Sequence, residues 1–192
     1  MRTILSTLAL LLAGLSAAAF GQVSSNGPVI VDYGRHITAP NPTEARLAKE
    51  VRHELLMLPW YTLFDDLEFS VQDRTVTLSG YVTSIDAPTK DQAGGVVKHI
   101  EGVDEVKNDI VILPPNPLDD EVREQTYAAI SRTASLSRYF WEAAPSIHII
   151  VKNQRVVLRG IVNNETDKHL ATIAANTVPG VFQVTNELHV EK

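Results

Sequence analysis

The sequence predicts an α+β protein of two tandem small domains, each α-β-β-α-β, with two helices packed on one face of a three-stranded mixed sheet. Three observations carry that prediction. Leu67 to Val82 recurs eighty positions later as Ile147 to Val162, with Val71 matching Val151, Val76 matching Val156, Leu78 matching Leu158, Gly80 matching Gly160 and Val82 matching Val162. Each copy alternates apolar and polar residues into a polar turn, Gln72-Asp73-Arg74 or Lys152-Asn153-Gln154, and alternates again to a glycine, the pattern of a β-hairpin. A second repeat follows at an offset of 78, where Gly102, Val103, Val106 and Asn108 match Gly180, Val181, Val184 and Asn186. Self-similarity over such spans decides domain count before any single residue does.

The first 21 residues read as a secretory leader: Arg2, an apolar stretch from Ile4 to Leu15, then the small residues Ala17-Ala18-Ala19-Phe20-Gly21, with cleavage expected after Ala19 or Gly21. Residues 22–42 read as a flexible linker in which Val29 to Tyr33 can pair loosely with a sheet edge. The first domain spans 43–113. Thr43 is placed as N-cap of a helix from Glu44 to Leu58, whose Leu47, Val51, Leu55 and Leu58 form one apolar stripe before Pro59. After the connector Trp60 to Asp66 and the hairpin, a second helix from Thr89 to Ile100 carries Gly94-Gly95 in its interior. Each glycine there costs about 1 kcal/mol relative to alanine. A third strand follows from Val103 to Leu113. Residues 114–117, three of them proline, make a stiff linker. The second domain, 118–192, replays the plan: a helix from Asp119 to Thr133 that loads its N-terminus with acid, a connector from Ser135 to Pro145, the hairpin, a helix from Thr166 to Val178 and a strand from Val181 to Val190.

Composition narrows the function. A net charge of −6 argues against nucleic acid, whose phosphates call for a basic stripe. The absence of cysteine leaves no disulfide, no thiolate metal site and no cysteine to carry a lipoprotein's acyl chains. An exported location, most simply the periplasm, is the expectation. The six histidines lack ligand spacing, no nucleophile elbow or phosphate loop occurs, and Asp65-Asp66 should point apart. No metal, cofactor or catalytic residue is expected.

The hairpin segment Thr75-Val76-Thr77-Leu78-Ser79-Gly80 with Gly102-Val103-Asp104-Glu105-Val106-Lys107-Asn108, and its second copy Val156 to Gly160 with Gly180 to Asn186, resembles the BON domain, found in tandem in periplasmic proteins. The resemblance covers nearly all of residues 43–192. It implies the α-β-β-α-β topology, an envelope location, association with phospholipid membranes and no enzymatic activity. Such domains often carry a glycine just before the Val-x-Leu strand. Arg74 and Arg155 stand there instead, which points to a different hairpin turn.

The residues open to a functional reading lie mostly in the second domain. Both connectors concentrate aromatics, Trp60, Tyr61 and Phe64 in one and Tyr139, Phe140 and Trp141 in the other. Rings with a polar handle suit a water–lipid boundary, and rings also close the open end of a small core. Trp60 and Trp141 are the ones expected outside. The outer sheet face reads Glu68, Ser70, Gln72, Thr75, Thr77, Ser79 in the first domain, and His148, Ile150, Lys152, Arg155, Val157, Arg159, Ile161 in the second. The second face meets an anionic surface or partner, or packs on the first domain. His148 and His189 are placed to approach each other across it. Seven basic and 13 acidic residues in 43–113, against eight and nine in 118–192, favour the second domain near anionic lipid. The candidate binding residues are therefore Arg132, Arg138, Tyr139, Phe140, Trp141, Lys152, Arg155 and Arg159. They define a phospholipid surface or an envelope protein as partner. The alternative is a structural adaptor that binds through the outer sheet face of the second domain. The sequence leaves the oligomeric state open.

Overall fold

The computed structural model describes residues 29–32, 36–38, 42–83, 86, 88–141 and 145–191. The expected leader, 1–21, lies outside the described residues, as does most of the linker after it. Among the described residues no helix is long and apolar enough to cross a membrane.

Strands β1 (Val29–Asp32) and β2 (His36–Thr38) form an antiparallel hairpin, followed by α1 (Pro42–Leu56), β3 (Asp66–Gln72), β4 (Thr75–Val82), α2 (Pro88–Lys98), β5 (Glu105–Asn108) and β6 (Val111–Ile112). The second half comprises α3 (Pro117–Ser131), a 3-10 turn (Ser137–Phe140), β7 (Ile147–Lys152), β8 (Arg155–Val162), α4 (Glu165–Asn176) and β9 (Gln183–Val190). In each domain the central strand, β4 or β8, pairs antiparallel with the strand before it and parallel with the strand after α2 or α4. The fold is α+β, with the two mixed sheets in tandem. The apolar linker strand does find a sheet edge, because β1 pairs with β3 through Val29↔Val71 and Ile30↔Ser70.

One core gathers Leu47, Val51 and Leu55 of α1, Val71, Val76 and Leu78 of the hairpin, and Ala93 and Val97 of α2. The other gathers Val122 and Ile130 of α3, Ile147, Ile149, Val156 and Leu158, and Ala171, Ala174 and Ala175 of α4. The hairpin glycines have a steric cause. Gly80 and Gly160 sit at φ +106° and +117°, and a Cβ on either would strike the carbonyl oxygen of Asp66 or Ser146.

Several local expectations change. Helix α1 starts at Pro42 and ends at Leu56, so Thr43 lies inside it rather than at its N-cap. The helix of the second domain starts two residues earlier than Asp119, at Pro117, because Asn116 accepts from the Leu118 amide as N-cap. That frees the buried Asp119 to accept from the amides of Asn153 and Gln154 in the hairpin turn, at 2.9 and 2.7 Å. The third strand of the first domain is broken after Asn108. That side chain donates to the Lys90 carbonyl (2.8 Å) and accepts from the Ile110 amide (3.4 Å) beside the break, and β6 resumes on β4 in the same register, Tyr81↔Val111 following Leu78↔Asn108. Finally, both hairpin turns are the left-handed two-residue type that a glycine favours. Asp73 and Arg74 have φ 48° and 64°, and Asn153 and Gln154 have φ 52° and 57°. The positions without the glycine are thus Arg74 and Gln154, since Arg155 already belongs to β8.

The two domains pack on each other. The Leu63 carbonyl accepts from the Ile149 amide at 2.9 Å, so the first connector covers the exposed edge of β7. Leu63 and Phe64 pack on the second core. Tyr61 stacks on His148 with ring centroids 5.4 Å apart.

Candidate interaction site

The outer sheet face of the second domain takes the packing alternative. His148, Ile150 and Ile161 are buried rather than displayed to a partner, because the first domain lies over this face. Arg159, chosen from the sequence as a binding cation, spans the seam. It reaches Asp66 at 2.5 Å and Glu68 at 3.0 Å in the first domain, and Glu187 at 2.8 Å in its own. The seam holds further polar groups. Asp65 accepts from the amide and hydroxyl of Thr62 and from the Thr83 amide, all within 3.0 Å. Burial pushes its carboxyl up to about 6 against those donors. Asp66 turns the other way, to Arg159, so the adjacent aspartates do point apart. Burial also raises the Tyr61 hydroxyl, with help from the charges of Asp66 and Asp65. His148 falls to about 4 because burial outweighs the nearby carbonyls of Asp65, Thr62 and Pro145. Strand β8 separates His148, opposite Arg159, from His189, opposite Ile161, so these two histidines do not meet. No group of three or more potential metal ligands occurs among the described residues.

The remaining candidates divide between opposite ends of the second domain. Arg138, Tyr139, Phe140 and Trp141 lie just beyond the C-terminal end of α3, where Arg132 is the C-cap. Tyr139 is a core residue. Its hydroxyl donates to Asp167 at 2.6 Å and accepts from the Asn163 amide at 2.9 Å. Arg138 pairs with the same carboxylate and lies over the Tyr139 ring. Burial alone would raise Asp167, yet the Tyr139 hydroxyl and Arg138 outweigh it and hold the carboxyl below its ordinary range. Phe140 is half-buried, edge-on to Tyr127 at 5.2 Å. The connector rings thus mostly close the core. Trp141 is 77% exposed, and Trp60 is exposed in the first connector. Arg132 is exposed as well.

Lys152 and Arg155 flank the hairpin turn at the other end of α3. The 15 residues of that helix separate the two groups by about 22 Å at 1.5 Å per residue. The eight candidates therefore form no single patch. Two exposed apolar residues at the hairpin end, Leu118 and Phe182, escaped the sequence reading because neither belongs to a cluster along the chain. Comparison of the two repeats position by position is the signal that finds them.

Among curated proteins none matches this chain. Two solved structures of CdsD, a structural protein of the type III secretion system of Chlamydia trachomatis, are similar at 13% identity. One, of its C-terminal domain, has a TM-score of 0.31 and covers 76% of this chain and 98% of that one. The other has a TM-score of 0.30 and covers 76% and 92%. The BON domain model matches residues 43–114 and again 119–192, each holding one α-β-β-α-β unit. This chain belongs to the BON-domain family.

Proposed function

We propose that this chain is a non-catalytic protein of the cell envelope that associates peripherally with phospholipid membrane surfaces through its second domain. BON domains suggest a membrane or envelope association. The observation that carries the reading to a place is Trp141. Its indole stands 77% exposed on a connector whose other rings are anchored inward. An indole at that exposure gives a bilayer interface a rigid apolar body with a polar N–H.

Arg132 is the cation to test beside it. Arg138 pairs with the buried Asp167, so replacing it would disturb the fold. The expected result is that Trp141→Ala with Arg132→Glu pellets several-fold less with anionic liposomes, while circular dichroism is unchanged. A folded double variant that pellets as well as the parent protein would place the contact elsewhere. An adaptor acting through the outer sheet face of the second domain would require the first domain to move away, since it occupies that face.

A further inference from the structure

The two hairpin tips are built alike and finished differently. In the first domain the Glu44 carboxylate accepts from the Asp73 amide at 3.0 Å, and the Asp104 amide donates to the Arg74 carbonyl at 2.9 Å. In the second, Asp119 accepts from the Asn153 amide and the Phe182 amide donates to the Gln154 carbonyl at 2.9 Å. These equivalent bonds align the surroundings residue by residue. Thr43, Gln72, Thr75 and Asp104 of the first tip stand where Leu118, Lys152, Arg155 and Phe182 stand in the second. The first tip is polar, and Arg74 closes it by pairing with Asp104 at 2.9 Å. The second tip exposes Phe182 at 74% and Leu118 at 56%. Lys152 and Arg155 lie exposed beside them, and neither cation has an ion pair among the described residues. The exposed Asp120 of α3 pairs with Arg123, and the exposed Glu121 accepts from Gln125.

We infer that this tip is a second membrane contact, which inserts Phe182 and Leu118 into a bilayer while Lys152 and Arg155 meet anionic headgroups. The inference rests on the proposed membrane association. It adds a contact at the far end of α3 from Trp141. The fold needs none of the four side chains, because the first domain builds the same turn with Thr, Gln, Thr and Asp. Two apolar side chains ringed by unpaired cations match an anionic interface in both solvation and charge. Two contacts on one domain also make the binding bivalent, so the loss of either weakens it without abolishing it.

The chain has no cysteine, so a single introduced one is labelled at a known place. The exposed Gln183 lies beside Phe182 and leaves the tip intact. Full-length Gln183→Cys carrying an environment-sensitive fluorophore is titrated with phosphatidylcholine vesicles, with vesicles containing phosphatidylglycerol, and with poly-glutamate. A blue shift with the phosphatidylglycerol vesicles alone is expected. Phe182→Ser with Arg155→Glu should weaken pelleting with those vesicles about tenfold, as loss of one apolar anchor and reversal of one cation would. If the parent protein pellets but the tip label does not shift, the tip is not a lipid contact and the membrane association stands. A shift with poly-glutamate and not with vesicles would overturn the lipid assignment in favour of an acidic protein. If no vesicle pellets the parent protein, the membrane association itself falls.

Discussion

Replacement of Arg159 by methionine tests whether the two domains are held as one unit. The guanidinium is 19% exposed and the Asp66 carboxylate 1%, while Glu68 and Glu187 are half-exposed. Exposed pairs of the latter kind contribute up to about 1 kcal/mol each. Asp66 differs, because its charge stays in the seam when the guanidinium leaves. Removing one partner of a buried pair costs about 3–5 kcal/mol. Arg159→Met should therefore lose about that much, and Asp66→Asn on the same background should recover most of it. Each domain carries one tryptophan, Trp60 or Trp141, so Trp60→Phe and Trp141→Phe versions report the two domains separately in urea. The parent should show coincident transitions and Arg159→Met separated ones. A loss below about 1 kcal/mol, or no recovery in the double variant, would refute a seam held by this pair.

Acid titration and the glycines of α2 supply two further tests. His148 is held neutral by burial at about 4 against an ordinary 6.5, so its contribution is complete above pH 6.5 and is lost as pH falls through 4. Asp65, raised by burial to about 6 from 3.8, acts oppositely, its contribution being complete below pH 3.8 and lost as pH rises through 6. Each amounts to about 3 kcal/mol, so they nearly cancel between pH 6.5 and 4. Asp65→Asn should make stability fall on acidification and His148→Gln should make it rise, and parallel urea midpoints for the two variants would contradict this. Gly95→Ala should stabilise α2 by about 0.5–1 kcal/mol, since a Cβ there meets nothing within 4 Å. Gly94→Ala should not, because its Cβ would lie 2.8 Å from Asn108 Nδ2, and equal gains in thermal midpoint would disprove the distinction.

Local chemistry carried much of this protein in its order of residues. The alternation around Val71 to Val82 and Ile147 to Val162, the stops at Gly102 and Gly180, and the proline linker each act over a few residues. The repeat then made each reading support the other.

What tertiary structure decided was which faces remain free. The outer face holding His148, Arg159 and Ile161 has the same alternation whether it meets water, lipid or protein. Only the docking of Tyr61, Leu63 and Asp66 buries it. Likewise Tyr139 and Trp141 are two residues apart in one aromatic run, yet one reaches Asp167 and the other reaches solvent. Leu118 and Phe182 are 64 positions apart and share a tip because α3 and β9 both begin beside the turn at Asn153. Periodicity states which residues lie on the same side of an element. What stands opposite that side depends on packing between segments distant in the chain, and such contacts leave no local pattern to read.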